Sequence, residues 1–289
     1  MRTGLVMLCA LGCTVGAGDA HAEAGRYGWY FSGASGLALS SGMDQTGWNR
    51  DTVCYPTDPC FTADPAPELS GYRWGYDIDA DAGHGFEFAL GRGLGGLRLE
   101  VSFSRSRNDI GQEFASLEYF DGSPWIGREG TVVSNDVASI GWLTTRILAL
   151  NVYRDFRVTR RLTPYAGAGL GAAFATVSDV QYSNDYQDTA ESPPVYDPPL
   201  SFYNSVQDSD YSGRAAAGRL HAGVDYEVND GMLLGVKLTW SLVGEITDTG
   251  VYASHPMQQE GDPPFTNTTS FGASQGWSLA LAVKHRLGG

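Results

Sequence analysis

Acid–base or nucleophilic chemistry needs a histidine or a pair of carboxylates within reach of one another, so the histidines come first. Four lie beyond the first few dozen residues: His84, His221, His255 and His285. No Ser–His or His–carboxylate spacing stands out around them. His84 and His285 fall in the outward phase of alternating segments, His255 lies in a loop beside Pro256, and His221 sits among charges in mid-segment. Asp77-Ile78-Asp79-Ala80-Asp81 invites a calcium reading, but an EF-hand loop needs Gly after the third acid and Glu at position twelve. Ala82 and Phe88 stand there instead, and the three aspartates share the phase of Glu87, which places them at the top of an interior. Cys54 and Cys60 are separated by five residues with no histidine nearby, which reads as a local disulfide rather than a metal site. No catalytic residue, metal or cofactor is expected, and an enzyme is not the favoured reading.

The elements that would carry these residues begin with a leader. Arg2, the apolar run Leu5-Val6-Met7-Leu8-Cys9-Ala10-Leu11 and Ala20-His21-Ala22 read as a signal peptide over 1–22. Residues 23–289 then form one domain. A net charge of −14 argues against nucleic acid as a partner, because phosphate binding needs a basic surface. No later run reaches the ~20 apolar residues of a membrane helix, so a membrane-spanning chain of this kind must close a sheet into a barrel.

Alternation of period two supports the barrel. Met232, Leu234, Val236, Leu238, Trp240 and Leu242 share one face, with Gly235, Lys237, Thr239 and Ser241 opposite. Trp277, Leu279, Leu281, Val283, His285 and Leu287 repeat the pattern. Weaker alternation marks six more segments: 29–39, 76–91, 97–103, 136–156, 164–177 and 220–228. In the fourth, Arg146 falls outward and Ile147 inward, which a β-bulge near Arg146 would repair. Short connections (92–96, 157–162 and Asn229-Asp230-Gly231, a tight-turn signal) alternate with long ones at about 41–74, 107–135, 178–212 and 248–275. The expected fold is therefore all-β: an eight-stranded antiparallel up-and-down transmembrane β-barrel with periplasmic termini and four long extracellular loops.

Carried through the segments, the alternation turns Glu87, Arg98, Glu100, Asp155, Arg219, His221, Asp225, Glu227, Lys237, Lys284 and Arg286 inward. Five acids meet five bases there, a set that calls for pairing, and an eight-stranded barrel has room for little beyond its own side chains. A plugged lumen is expected. Phe103, Trp142, Phe156, Phe174, Tyr226, Trp240 and Trp277 fall outward near segment ends, as an aromatic girdle requires.

Leu162-Thr163-Pro164-Tyr165-Ala166-Gly167-Ala168-Gly169-Leu170-Gly171 resembles the fifth-strand opening of small outer-membrane barrels of the opacity-protein and outer membrane protein A transmembrane-domain type. Asn151-Val152-Tyr153-Arg154-Asp155-Phe156, Trp29-Tyr30-Phe31-Ser32-Gly33 and the closing strand are similar too. The resemblance spans the mature chain through short, Gly-rich motifs. It implies a bacterial outer-membrane location and a role as adhesin, surface antigen or envelope-stabilising protein. Two departures are Leu287-Gly288-Gly289 in place of a terminal aromatic residue, and the chain's end at the eighth strand, with no peptidoglycan-binding domain. The loops then carry specificity: residues 178–212 hold seven Asp or Glu, five Tyr and no Lys or Arg, suited to recognition through rings and carboxylates. A monomer in contact with outer-membrane lipid and lipopolysaccharide, with a host or envelope ligand at the loops, is the expected setting. A narrow porin-like channel is the alternative, and a lipid A-modifying or protease barrel a third.

Overall fold

The computed structural model describes residues 27–63, 68–258 and 260–287, so the 1–22 leader lies outside the described residues. Every element but two short 3-10 turns, Pro59–Thr62 and Leu200–Tyr203, is an antiparallel strand. The strands are β1 (Tyr27–Ser40), β2 (Met43–Trp48), β3 (Tyr72–Ala80), β4 (Gly83–Leu94), β5 (Leu97–Tyr119), β6 (Val132–Ser134), β7 (Val137–Ser139), β8 (Trp142–Asp155), β9 (Leu162–Asn184), β10 (Tyr186–Asp188), β11 (Ser205–Asn229), β12 (Met232–Val243), β13 (Ile246–Ser254), β14 (Thr266–Phe271) and β15 (Ser274–Leu287).

In the lower tier the pairings run β1–β4–β5–β8–β9–β11–β12–β15, and β15 pairs with β1 from Trp29↔Leu287 to Ser40↔Gly276. The order thus returns to its start. The outer face is apolar: Phe31, Leu90, Val101, Leu150, Leu170, Val236, Leu281 and Val283 are all exposed, Leu170 by 76% and Leu281 by 73%. The inner face holds most of the buried charge. This inverts the usual partition of a water-soluble sheet, whose large apolar side chains turn inward.

An upper tier continues most of the same strands. Two-residue interruptions at 41–42, 81–82, 140–141, 244–245 and 272–273 separate β1 from β2, β3 from β4, β7 from β8, β12 from β13, and β14 from β15. Asp179 sits in the left-handed region (φ 56°) in β9, with its amide on Asp210 Oδ1 at 3.0 Å, where the β9–β11 register shifts. At several of these points alternation slips by one residue, as a bulge makes it do. The slip turns Met43, Ile78, Val180, Ile246 and Phe271 inward, and they pack with Ile110, Leu143, Val177 and Tyr211 into an apolar plug across the ring.

Several expectations are corrected by this tier. The segment read as one strand over 76–91 is two, and the slip at Asp81–Ala82 leaves Ile78 inside while Asp77, Asp79 and Asp81 point out. The aspartates therefore do not line the interior. The segment over 136–156 is likewise divided. No bulge occurs at Arg146: Arg105↔Arg146↔Phe174 runs in unbroken register, with Arg146 outward and Ile147 buried inside. The four long connections are largely built into strands, since β5, β9 and β11 run on through them and β2, β3, β13 and β14 lie within them.

Glycine is required where inner rings lie flat on the opposite strand. A Cβ on Gly91 would sit 2.2 Å from Tyr30 Cζ, and one on Gly223 2.4 Å from the Tyr165 hydroxyl. These gaps let tyrosines lie across a narrow interior.

Candidate functional site: the paired interior and the cap above it

Alternation along β4, β5, β8, β11, β12 and β15 delivers the predicted charges to one enclosed space. Glu87 accepts from Lys237 Nζ at 2.5 Å and from Arg219 Nη2 at 2.7 Å. Lys237 also donates to the Tyr153 hydroxyl at 2.9 Å and lies 3.8 Å from Glu100. Glu100 accepts from Tyr30 and Tyr153 at 2.9 and 2.8 Å. Closer to the end with the short connections, Arg98 spans Asp155 (2.9 Å) and Asp225 (3.3 Å), and Lys284 meets Asp225 at 2.5 Å. The planar guanidinium suits this bridging of two carboxylates. Arg286 and Glu227 pair at 3.1 Å near the rim, about a quarter exposed each. His221 is not placed for proton transfer: its ring nitrogens contact Asn151 Oδ1 and Thr239 Oγ1, and Asn151 in turn donates to Ser102.

Each cation here has an acid within ion-pair distance. Above Glu87 and Arg219 lies a cavity of about 100 Å³ walled by small residues such as Ala34, Gly85, Ser104 and Ser278. Ile147 and Val243 bound it, and the apolar plug follows. The interior is thus blocked twice, by paired charge and by packed hydrocarbon.

The predicted girdle residues are on the outer side. Phe103, Phe156, Phe174, Tyr226 and Trp277 are exposed, and Trp142 and Trp240 half-buried. Arg107 lies over the Trp142 ring at 4.1 Å and Arg214 over Phe174 at 5.6 Å. His84 and His285 are exposed on the outer face.

The sequence reading missed the cap. Above the plug, Gln45 donates to Tyr182 at 2.6 Å and Asn267 to Gln207 at 2.7 Å, in a buried polar layer. Over that layer folds the β2–β3 connection, closed by the Cys54–Cys60 disulfide (Cα–Cα 6.0 Å). Asp58 is its hub: it accepts from the Tyr55 amide (2.9 Å), the Tyr72 hydroxyl (2.6 Å) and Trp125 Nε1 (2.6 Å). Asp51 accepts from the Tyr55 hydroxyl at 2.6 Å and lies 3.3 Å from His255 Nε2. Arg128 holds the Pro56 carbonyl, and Tyr186 stacks on Tyr55. Segments from all four long connections meet here. An Asp-Pro-Cys sequence starting three residues after Tyr55 was the available signal, but its partners lie far along the chain.

Burial, with Asp51 and Asp58 adding repulsion, pushes the Tyr55 and Tyr72 phenols far above their ordinary range. Burial also pushes Tyr76 up to about 12, with Asp136 adding to it. His255 against Asp51 and Tyr55 is the one close histidine–carboxylate contact among the described residues. All three side chains are buried, so the trio braces the cap and offers substrate no approach.

No known family description matches the chain, and no curated protein sequence matches it. Solved structures do. Outer membrane protein OprG from Pseudomonas aeruginosa is 13% identical, with 91% of this chain and 99% of that one covered and a TM-score of 0.43. Neisserial surface protein A is 10% identical (90% and 97%; 0.40). Outer membrane protease OmpT from Escherichia coli is also 10% identical (89% and 97%; 0.39). The chain is similar to outer-membrane β-barrel proteins.

Two outcomes follow from the geometry. Glu87→Gln leaves Lys237 and Arg219 buried beside a neutral amide and is expected to cost about 3–5 kcal/mol, whereas Glu227→Gln at the rim costs under about 1 kcal/mol. Urea unfolding midpoints in lipid vesicles measure the difference. In the cap, raised phenol pKa values favour the closed form fully below pH ~10. Above that pH an opened cap gains phenolates, so closure weakens as pH rises. Phenolate absorbance is expected to show Tyr55 and Tyr72 ionising only as the cap opens, and Asp58→Asn to bring Tyr72 back toward its ordinary range.

Proposed function

We propose that this chain is an eight-stranded up-and-down β-barrel of the bacterial outer membrane, a non-enzymatic surface protein whose sealed barrel anchors a rigid, acidic, tyrosine-rich cap for adhesion or envelope interaction. The observation that carries it is the inverted partition of the lower tier, with exposed Leu, Val and Phe around its outside and paired Glu, Asp, Lys and Arg within. An unpaired sheet edge has no partner in hydrocarbon, and pairing of β15 with β1 removes it. The short connections at the opposite end support placing the cap outside, since outer-membrane barrels carry short periplasmic turns and long extracellular loops.

Recognition is assigned to the cap because its crest presents apolar side chains to water. Val195 is 99% exposed and Phe202, seven residues on, is half exposed, while Ile126 in the β5–β6 connection is 69% exposed. Val195 and Phe202 stand among Glu191, Tyr196, Asp197 and Tyr203 in the sequence. Such anchors within a polar surround are what a protein-binding surface needs. Their framework is held by Tyr196 on Asp188 at 2.6 Å and by Asn204 on Asp185 at 2.6 Å.

The test has two parts. The detergent-folded chain is expected to migrate faster on a gel unheated than boiled, the behaviour of an intact barrel; identical migration contradicts the barrel. Cells displaying the chain are then compared with cells displaying Val195→Ser/Phe202→Ser for adherence to a host-cell monolayer. Several-fold lower adherence with an unchanged heat shift supports the assignment, and equal adherence removes the cap crest from it.

A further inference from the structure

The outer face is not uniform around the ring. Along one row of paired positions, Arg105 (β5), Arg146 (β8), Phe174 (β9) and Arg214 (β11) stand side by side. All point away from the interior: their neighbours Ser104, Ile147, Ala173, Ala175 and Ala215 face inward, and Ile147, Ala173 and Ala175 are buried. Arg107, two residues above Arg105 on the same face, lies over Trp142. On the other side of the ring the comparable stretch carries Leu39, Trp240 and Trp277, which pair in one row. In a chain with 19 Lys and Arg against 33 Asp and Glu, four outward arginines on β5, β8 and β11, with Phe174 of β9 between the last two, form a local excess of positive charge.

None of the four has a carboxylate within 4.0 Å among the described residues, whereas five of the interior cations have one. Asp109, Asp179 and Asp210 lie further up the same strands, past the arginines. Below the row the surface changes character. Leu148↔Ala172↔Ala216 and Leu150↔Leu170↔Gly218 are the next outward rows. Ala172 and Ala216 carry only methyl groups beside Leu148, Gly218 carries no side chain between Leu170 and Leu242, and nothing lies within 4 Å of where a Gly218 Cβ would be, so these small residues leave room for a shallow apolar depression. Cationic donors therefore stand at the head of an apolar slot that runs down the outside.

We infer that Arg105, Arg107, Arg146 and Arg214 form a binding site for a phosphate-bearing lipid of the outer leaflet, with an acyl chain in the Ala172–Ala216–Gly218 depression. Strands lie about 4.8 Å apart, so Arg105 and Arg214, three strands apart, span roughly 14 Å, enough for phosphates at two places on one headgroup. Guanidinium forks match phosphate oxygens. Charge decides the occupant: a second copy docked on the same face would set one arginine row against another, whereas an anionic lipid complements it. The inference rests on the membrane placement proposed above.

Native mass spectrometry of the full chain in detergent tests it, with bisphosphorylated lipid A as the probe. One lipid adduct is expected on the wild type. About tenfold less is expected with the dephosphorylated glycolipid, and about tenfold less on Arg105→Gln/Arg107→Gln/Arg146→Gln/Arg214→Gln. Ala216→Leu/Gly218→Leu, which fills the slot and keeps every charge, is expected to lower retention as well. Equal adducts on wild type and the quadruple variant overturn the site, as do equal adducts with the dephosphorylated lipid, displacement by millimolar inorganic phosphate, or protein dimers in place of adducts. A gel heat shift on each variant separates failure of the site from failure of the membrane placement, and a chain that stays soluble without detergent overturns both.

Discussion

The pairing of β15 with β1 is the constraint on which the rest of the molecule depends. A strand edge carries a row of unmet N–H and C=O groups, and in hydrocarbon each would cost several kcal/mol. Once the two ends meet, every strand of the lower tier has two neighbours and side chains have only two directions to take. Period-two alternation then sorts them. Hydrocarbon goes out, and whatever is polar goes into a space that small residues such as Gly91 and Gly223 keep just wide enough for tyrosine rings.

That enforced inward direction explains the interior. Burying an ion is costly unless it is paired and hydrogen-bonded. The chain meets the cost by setting Glu87 between Lys237 and Arg219, and Asp225 between Arg98 and Lys284, with Tyr30 and Tyr153 filling the remaining positions on Glu100. Each partner comes from a different strand, so the pairs also brace the ring from within. The plug formed by Met43, Ile78, Ile246 and Phe271 repeats the closure in hydrocarbon one level up.

Much of the lower tier is legible in the sequence because alternation is local. Met232 to Leu242 declares its two faces without help from any other strand, and so do Trp277 to Leu287. The inward set of charges follows from the same rule. The upper tier is harder to read for a physical reason: a one-residue slip at Gly42, Gly244 or Gly272 breaks a period-two run, and the continuing strand then looks like a loop. The Asp77–Asp81 stretch was misplaced by one such slip. Arg146 looked like a fault needing a bulge, yet its register is regular, and its outward neighbour Arg105 and, beyond Phe174, Arg214 show that the position belongs to a cationic row. The cap was out of reach altogether, since Asp58 gathers Tyr72 and Trp125 from segments whose closeness only the folded sheet creates.

The central claim is a ring closed to lipid outside and shut to ions inside. Planar-bilayer recording on the refolded mature chain tests it most directly. The account predicts no steady conductance for the wild type, with current rising only when the interior is opened, as by Glu87→Ala combined with Phe271→Ala. A stable ohmic conductance through the unaltered chain would contradict it.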